Sequence, residues 1–244
     1  AYEIPLRLVG SEMSIRDRKI RRGLSVKDSP FWHYKKGLFG KKIVKMEENK
    51  MEVYIIRHGE TIWNAAGKLQ GSMDIELNEK GRAAAGALGE RLEGVPFDRI
   101  YASPLIRAYE TACLIRGHRN IPIIRDDRLK EICFGVAEGI HHDEWRTEES
   151  PYHFFYTKPE CYVPPKQGES FQQVCDRTKS FLEEVVEPAW KDTERIMIVA
   201  HGALNKGLMC HIEKHGIENY WGKGLQQNCE ATIFTYDGSI WKEK

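Results

Sequence analysis

The sequence predicts an α/β fold, a three-layer α/β/α sandwich with a mostly parallel central sheet. From residue 51 onward, short apolar runs rich in β-branched residues alternate with helix-like segments. Two of these runs also end alike, since residues 53–56 lead into Arg57-His58-Gly59 and residues 196–200 lead into His201-Gly202. The carboxyl ends of parallel strands share one edge of a sheet, where such folds bind ligands. We therefore expect both imidazoles at one rim.

Five apolar runs predict the strands of this sheet. In chain order they are residues 52–56, 98–102, 121–124, 196–200 and 231–236. The runs are short and bounded by polar or turn-forming residues, as buried strands are. The last run follows a long loop, so we expect it at an edge of the sheet, with an antiparallel direction open.

Four helices are predicted between these strands, and three of them carry a recognisable start. They cover residues 79–92, 103–116, 170–188 and 202–214. Asn78 is the expected N-cap of the first, which has an alanine-rich body. Ser103-Pro104 offers an N-cap and a proline at the first helical position of the second. Ser170 and Gln173 form a capping box for the third.

An aromatic-rich segment, residues 139–168, interrupts the alternation of strand and helix. Two interpretations remain open. A long insertion in a compact α/β domain is often a lid or a binding loop. Alternatively, its rings form a satellite hydrophobic cluster packed on the core.

Composition limits the classes of protein to which this chain can belong. Of its 244 residues, 41% are hydrophobic and 30% charged, as in globular proteins. No segment approaches the ~20 apolar residues of a membrane helix, so no membrane partner is expected. The six cysteines form no CxxC pair. Zinc needs clustered ligands, so a structural metal site is not expected, and scattered single cysteines favour a reducing, cytoplasmic setting.

The charge is distributed unevenly along the chain. Residues 1–50 carry 13 Lys/Arg against 6 Asp/Glu, whereas residues 51–244 carry 24 against 30. We interpret residues 1–50 as a basic N-terminal extension, a leader or an expression remnant, and residues 51–244 as the folded domain. A nucleic-acid-binding arm is the alternative, because basic and aromatic residues are interleaved there.

Two arginines accompany the paired histidines. Arg57 precedes His58, and Arg107 lies just after the second predicted strand, in the first turn of a predicted helix. Helix N-termini attract anions, and the planar guanidinium group grips phosphate with two donors. Together with His201, these residues predict an anion-binding pocket.

The chain resembles the histidine phosphatase superfamily, the phosphoglycerate-mutase-like proteins. The resemblance spans residues 51 to about 236 and includes several motifs in the family's order. They are Arg57-His58-Gly59-Glu60-Thr61-Ile62-Trp63-Asn64, Gln70-Gly71, Leu77-Asn78-Glu79-Lys80-Gly81, Ser103-Pro104-Leu105-Ile106-Arg107-Ala108-Tyr109-Glu110-Thr111, Leu129-Lys130-Glu131-Ile132, Gly168-Glu169-Ser170-Phe171 and Ala200-His201-Gly202. The family's phosphoglycerate-mutase-like sandwich agrees with the fold predicted above.

The resemblance implies a role for each matching residue. His58 would attack phosphorus to form a phosphohistidine, which divides one hard transfer into two easier steps. The residues that would hold and stabilise the phosphoryl oxygens are Arg57, Arg107 and His201. Glu131 matches the family's proton donor to the leaving oxygen and must be protonated when it acts. The expected substrate-binding residues are Asn64, Gln70, Gly71 and Gly202.

One departure from the family lies near Glu131, where Ala137 stands in place of the tryptophan of the usual Trp-Glu-Gly ending. No metal ion or organic cofactor is implied. The histidines without a motif are interpreted as solvated or structural: His141, His142, His153, His211 and His215.

The motifs favour hydrolysis over mutase activity. Gln70 stands where many phosphatases of the family have Gln and the mutases tend to have Ser or Thr. The interval from His58 to His201 is 143 residues, and mutases usually carry a longer one with extra basic segments over the pocket. The chain resembles the broad-specificity acid phosphatases and the α-ribazole-phosphate phosphatases. We therefore predict hydrolysis of a small phosphate ester.

Two rival functions remain open. The first is phosphoglycerate mutase activity, which would return the phosphoryl group to a reoriented substrate. The second is non-catalytic binding of a phospholigand or of nucleic acid, which only the basic residues 1–50 support. Nucleic acid is accordingly not an expected partner, and the sequence does not predict an oligomeric state.

Overall fold

A computed structural model describes residues 50–244 of the chain. Residues 1–49, which hold nearly all of the predicted basic extension, lie outside the described residues. The strands are β1 (Met51–Arg57), β2 (Arg99–Ala102), β3 (Ile123–Arg125), β4 (Arg195–Ala200), β5 (Ala231–Tyr236) and β6 (Trp241–Glu243). The helices are α1 (Ile62–Ala65), α2 (Glu79–Arg91), α3 (Ile106–Arg116), α4 (His142–Arg146), α5 (Phe154–Thr157), α6 (Phe171–Phe181) and α7 (Gly202–Glu213).

The six strands form one mixed sheet in the order β3-β2-β4-β1-β5-β6. The four strands from β3 to β1 are parallel to one another. β5 pairs antiparallel with β1, and β6 antiparallel with β5. β1 and β4 lie side by side with Arg57 opposite Ala200, so the two His-Gly segments leave the sheet at the same edge, as the sequence predicts.

Helices cover both faces of the sheet and produce the predicted three layers. Alternate residues of β1 point to opposite faces, because side chains along a strand have a period of two. Val53 and Ile55 belong to one buried cluster, which also contains buried residues of α6 and α7. Tyr54 and Ile56 belong to a second cluster, together with buried residues of α2 and α3.

Most predicted elements are confirmed within a few residues, but the last strand is not an edge. β5 is antiparallel and has β6 on its outer side. β6 was missed because three residues, of which only Trp241 is buried, give no periodic signal. The third strand is also displaced, since pairing begins at Ile123 rather than at residue 121.

The predicted start of α3 is wrong. The helix begins at Ile106, and the preceding Leu105 is extended and provides no side-chain cap. The backbone N–H of Ile106 instead donates to Asp74 Oδ1 at 2.6 Å. Ser103 does not cap the helix: its hydroxyl oxygen accepts from Leu105 N at 3.3 Å, before the helix begins, and lies 2.8 Å from His201 Nε2.

The other two helix starts match their predicted caps. Asn78 accepts a hydrogen bond from Gly81 N, and Ser170 and Gln173 form a reciprocal capping box. Beyond Phe181 the helix widens into a π-helical turn over Leu182–Val186 and tightens into a 3₁₀ turn over Glu187–Lys191. Within residues 50–244, no helix combines the length and the apolar character that crossing a bilayer requires.

The aromatic segment 139–168 combines features of both predicted alternatives. Trp145, Phe155 and Tyr162 are buried in the larger core cluster, so they extend that core instead of forming a separate satellite. Other side chains of the same segment line a pocket, as a binding loop would: His142, Arg146 and Tyr156. The short helices α4 and α5 hold them there.

Candidate active site

A pocket of about 280 Å³ lies where β1 and β4 end. Its walls include eight of the nine residues that the sequence singles out: Arg57, His58, Asn64, Gln70, Gly71, Arg107, Glu131 and Gly202. The ninth, His201, lies directly behind the wall, with its ring centroid 5.1 Å from that of His58. The fold therefore brings together groups that are far apart in the sequence.

His58 is buried and fixed by the backbone on both sides. The His58 backbone N–H donates to Ala200 O at 2.9 Å, and the ring Nδ1 lies 2.7 Å from Gly59 O. A carbonyl oxygen only accepts, so Nδ1 carries the ring proton and Nε2 keeps its lone pair. Burial, with the nearby Arg107 and Arg57 charges, holds the pKa of His58 well below its usual value. The neutral imidazole is therefore the resting form.

His201 is completely buried at the start of α7. Its Nε2 lies 2.8 Å from Ser103 Oγ, which also accepts from Leu105 N at 3.3 Å. Among the described residues, no other acceptor takes the Ser103 hydroxyl proton, so we infer that the hydroxyl donates to His201 Nε2. That assignment leaves the His201 ring proton on Nδ1. Burial first, and then the Arg107 charge, keep the pKa of His201 well below its usual value.

Arg57 is held by Gln226, which lies between α7 and β5 in the chain. Its Nη1 donates to Gln226 O at 2.5 Å. The Gln226 side chain is itself fixed, since its Nε2 donates to Ile55 O and to Thr232 Oγ1. Desolvation lowers the pKa of Arg57, although the neighbouring Glu131 opposes this shift.

Arg107 has no exposed surface, although its guanidinium lines the pocket. Nη1 donates to Met73 O and Nη2 to Gly71 O, each at 2.7 Å. Burial lowers the pKa of Arg107 to about 10, with the Glu131 carboxylate acting in the opposite direction. The side chain therefore remains charged at neutral pH and has a fixed orientation.

Three buried nitrogens near the two histidines have no hydrogen-bond partner within residues 50–244. They are Arg57 Nε, Arg107 Nε and His201 Nδ1. A buried donor without a partner costs about 1–3 kcal/mol. Unpaired donors grouped at one pocket fit a ligand with several acceptor oxygens, and a phosphoryl group is such a ligand.

Glu131 joins the pocket to the first turn of α7. Its Oε1 accepts from Leu204 N at 2.8 Å and from Ile132 N at 3.0 Å, and its Oε2 accepts from Ala203 N at 3.2 Å. The Glu131 carboxylate therefore accepts the hydrogen bonds that Ala203 and Leu204, in the first turn of α7, could otherwise donate to an anion. The sequence predicts the position of Glu131 in the pocket but gives no sign of this anchorage.

Asn64 and Gln70 meet at Thr61. The Thr61 hydroxyl donates its one proton to Gln70 Oε1 at 2.9 Å, and the Thr61 backbone N–H donates to Asn64 Oδ1 at 3.1 Å. Thr61 and Asn64 also form the capping box of α1. With their oxygens engaged in this way, both amide groups are left with NH₂ donors to offer to a ligand.

The two glycines of the predicted site permit close approaches. Gly71 adopts φ +53°, and a Cβ there would lie 2.2 Å from Glu138 Oε1. A Cβ on Gly202 would lie 2.9 Å from Leu225 Cδ1 and 3.5 Å from Arg57 Nε. Gly71 also presents its carbonyl to Arg107. Gly71 therefore requires a residue without a side chain, whereas a Cβ at Gly202 would displace only the end of the Leu225 side chain.

The outer rim of the pocket is both cationic and aromatic. The rim side chains are Lys68, His142, Arg146, Phe155, Tyr156 and Trp221. The Arg146 guanidinium lies 4.9 Å from the Tyr156 ring centroid, and its side chain is 55% exposed. Trp221 Nε1 donates to Phe155 O at 2.7 Å, which ties the aromatic segment to the loop after α7.

Sequence reasoning missed three residues that position the site. Gln226 holds Arg57 across 169 positions of sequence, so no local pattern could have revealed it. Thr111 accepts from Gly59 N at 3.0 Å and thereby fixes the turn that carries His58. Ser103 lies within a recognised motif, but its hydroxyl was assigned to a helix cap and not to His201.

Comparison with known proteins agrees with this arrangement. The family model of the histidine phosphatase superfamily (branch 1) matches residues 53–244. Phosphoserine phosphatase 1 of Hydrogenobacter thermophilus is 33% identical over 75% of this chain and 86% of its own length. A 2,3-bisphosphoglycerate-dependent phosphoglycerate mutase of Cytophaga hutchinsonii is 32% identical over 66% and 76%.

The fold agrees as well. The solved structure of Bacillus stearothermophilus YhfR superposes with a TM-score of 0.73 and 37% identity, covering 79% of this chain and 95% of that one. The family match covers most of the chain and includes both His-Gly segments. The chain therefore belongs to branch 1 of the histidine phosphatase superfamily.

Proposed function

We propose that this chain is a phosphatase that hydrolyses small phosphate monoesters through a phosphohistidine on His58. The observation that carries the proposal is the state of the His58 ring. Its Nδ1 proton is held by Gly59 O at 2.7 Å, and burial beside two guanidinium groups keeps the ring neutral. Its Nε2 lone pair is thus available for attack on phosphorus at neutral pH.

The surrounding cations supply the electrostatic part of catalysis. Arg57 and Arg107 bind the phosphoryl oxygens, and His201 donates to the same group through Nδ1–H. Because these groups are fixed before substrate arrives, they stabilise transition-state charge without reorganising. Asn64 and Gln70 add amide donors, while Gly71 and Gly202 leave room for the phosphoryl group.

The reaction then proceeds in two transfers. In the first, a bond forms between His58 Nε2 and phosphorus, the ester P–O bond breaks, and Glu131 gives its proton to the leaving oxygen. In the second, Glu131 takes a proton from water as the water oxygen attacks phosphorus. The N–P bond breaks and inorganic phosphate is released.

Glu131 is held in place for both proton transfers. Its carboxylate oxygens accept from the backbone N–H groups of Ile132, Ala203 and Leu204. These contacts fix the group in the pocket wall, where it can reach the leaving oxygen and the attacking water.

The pocket rim supports a leaving group that carries negative charge. Lys68 and Arg146 lie at the rim, on the outer side of the reacting groups. A carboxylate on the substrate would meet these cations while its phosphate reached His58. Phosphoserine combines both features and is the substrate of a named relative, so it is the first compound to test. The aromatic rim residues would also admit a ring-bearing leaving group.

Phosphate release from a panel of phosphomonoesters tests the proposal. The panel contains phosphoserine, the phosphoglycerates, α-ribazole phosphate and para-nitrophenyl phosphate. We expect release by the unmodified chain and a loss of at least about 10⁴-fold in His58→Ala, the scale seen when a nucleophile is removed. His118→Ala, which removes an exposed histidine outside the pocket, is the matched control. Equal rates in His58→Ala and the unmodified chain would exclude the mechanism.

Phosphoglycerate mutase activity is the second candidate, because a mutase is among the relatives. A coupled assay with 2- and 3-phosphoglycerate and the bisphosphate primer separates the two activities. We expect phosphate release to exceed interconversion. The opposite ratio would favour the mutase.

We also propose a setting for the enzyme and a role for each part of the chain. All six cysteines are free thiols, which supports a reducing compartment such as the cytoplasm. We propose that residues 51–244 are the catalytic domain and that residues 1–50 are dispensable for turnover. Deleting residues 1–50 would then leave kcat/KM unchanged. If nucleic acid is retained only by the longer chain, residues 1–50 are instead a binding arm.

A further inference from the structure

A second cluster of potential ligands lies at the rim, outside the groups used for phosphoryl transfer. His141, His142 and Asp143 are consecutive residues at the start of α4. One ligand atom from each residue lies within 4.8 Å of the other two. The side chains are 41%, 33% and 69% exposed, so an ion from solvent can reach them.

The three side chains converge instead of pointing apart. His141 Nδ1 lies 3.5 Å from Asp143 Oδ2, and His142 Nε2 lies 3.6 Å from Asp143 Oδ1. Ligand atoms about 2.0–2.2 Å from a tetrahedral zinc ion lie roughly 3.4 Å from one another. Each imidazole thus lies near one of the two Asp143 oxygens at about this separation, and the full set of three ligand atoms lies within 4.8 Å.

His142 is already oriented as a metal ligand. Its Nδ1 donates to Gly67 O at 2.7 Å, and its backbone N–H donates to the same oxygen at 2.8 Å. A ligating histidine usually donates its second ring N–H to a carbonyl or a carboxylate, which fixes the tautomer and aims the other nitrogen. Here that arrangement leaves Nε2 as the lone-pair donor.

Competing partners of the cluster are weak. The nearest cation to Asp143 outside the cluster is Arg146 Nη1, at 4.0 Å and on an exposed side chain. The hydrogen bond from Asp143 N to His141 Nδ1 is 3.3 Å long. A metal ion would replace these contacts with shorter and stronger ones.

We propose that His141, His142 and Asp143 bind a divalent transition-metal ion of the zinc class at the rim of the pocket. Two imidazoles and one carboxylate suit Zn²⁺, and water completes a tetrahedral set. Because His142 and Gly67 both line the pocket, the ion braces that wall. It takes no part in the phosphoryl transfer, and this proposal does not depend on the phosphatase proposal.

Binding of Zn²⁺ to the chelator-treated full chain tests the site, with a competing metallochromic dye as the readout. We expect one ion per chain. His141→Ala and Asp143→Asn, neither of which alters a pocket-lining side chain, should each weaken binding at least about tenfold, the loss that even an outer hydrogen-bond partner of a metal ligand causes. Co²⁺ should give visible absorption bands that both variants lose.

His215→Ala is the matched control, because His215 also pairs with a carboxylate, Glu213, at 3.2 Å, but within residues 50–244 no third ligand joins this pair. It should bind Zn²⁺ as tightly as the unmodified chain. The proposal is overturned if the chain binds no stoichiometric Zn²⁺. It is also overturned if His141→Ala and Asp143→Asn bind the ion unchanged, which would place the ion elsewhere, for instance at His58 and His201.

Discussion

The inner end of the pocket and its rim are built in different ways. At the inner end, His58 is 2% exposed and His201 and Arg107 are completely buried. These side chains come from the ends of β1 and β4 and from the first turn of α3, and fixed hydrogen bonds hold them. At the rim, Arg146 is 55% exposed and belongs to a five-residue helix.

This difference predicts that the inner end carries out the proposed phosphoryl transfer and that the rim discriminates between substrates. The inner end can hold charge in a fixed geometry because the sheet and its two cores support it. The rim rests on one side against the same core, through Trp145 and Phe155, but presents its charged groups to solvent. Changes at the inner end should therefore affect kcat strongly, and changes at the rim should affect KM weakly.

Among substitutions that leave the His58 nucleophile in place, the largest effect should come from replacing the buried Arg107 guanidinium with an amine. Arg107→Lys keeps the charge but loses the planar group that reaches both Gly71 O and Met73 O. We expect kcat to fall about 10²-fold, the scale for one preorganised transition-state donor. Steady-state kinetics measure this loss. Arg116→Lys, on the same helix but outside the pocket, is the control. An equal loss of kcat in both variants would show that the position of Arg107 in the pocket is not what matters.

The buried histidines should also make stability depend on pH. His58 and His201 both have pKa values well below the usual 6.5 in the folded chain. Below about pH 6.5 these two histidines bind protons in the unfolded chain but stay neutral in the folded chain. The free energy of unfolding should therefore decrease as the pH is lowered below about 6.5, by up to about 1.4 kcal/mol per pH unit for each histidine.

Urea unfolding at pH 7.5 and at pH 5.5 measures this dependence. His58→Gln should lose less stability between the two values than the unmodified chain does, because it carries one buried titrating ring fewer. An unchanged pH dependence in His58→Gln would mean that His58 is not held neutral by burial.

A smaller effect should follow from releasing His201. Ser103→Ala removes the hydroxyl that lies 2.8 Å from His201 Nε2, so the ring loses its fixed tautomer. We expect kcat to fall about fivefold with KM nearly unchanged, matching about 1 kcal/mol for one neutral hydrogen bond. Thr178→Val removes a buried hydroxyl from α6 and should leave kcat intact. A rise in KM alone would assign Ser103 to substrate binding instead.

The smallest effect should come from the rim. Arg146→Gln should raise KM for phosphoserine about threefold and leave para-nitrophenyl phosphate unaffected, because an exposed ion pair contributes only about 0.2–1 kcal/mol. Arg125→Gln is a closely matched control, since Arg125 is also exposed and lies 4.9 Å from a tyrosine ring, that of Tyr109. Equal KM changes for both substrates would show that Arg146 does not select for charge.

Sequence and structure agree best where the signal is local. Apolar runs predict the strands, and Asn78 and Ser170 mark the helix starts that the structure has. The Ser103-Pro104 pattern fails for an equally physical reason. The helix begins only at Ile106, so the Ser103 oxygen accepts from Leu105 N before the helix starts, while its proton goes to His201, 98 residues away.

The sequence by itself determined the four parallel strands, the three layers and the meeting of His58 with His201, because hydrophobic periodicity sets these strands and parallel strands end at one edge. Only the tertiary structure decided how the site is held: Gln226 on Arg57, Glu131 on the first turn of α7, and the cationic rim around Arg146. Those contacts join residues distant in sequence, and packing rather than local pattern selects them.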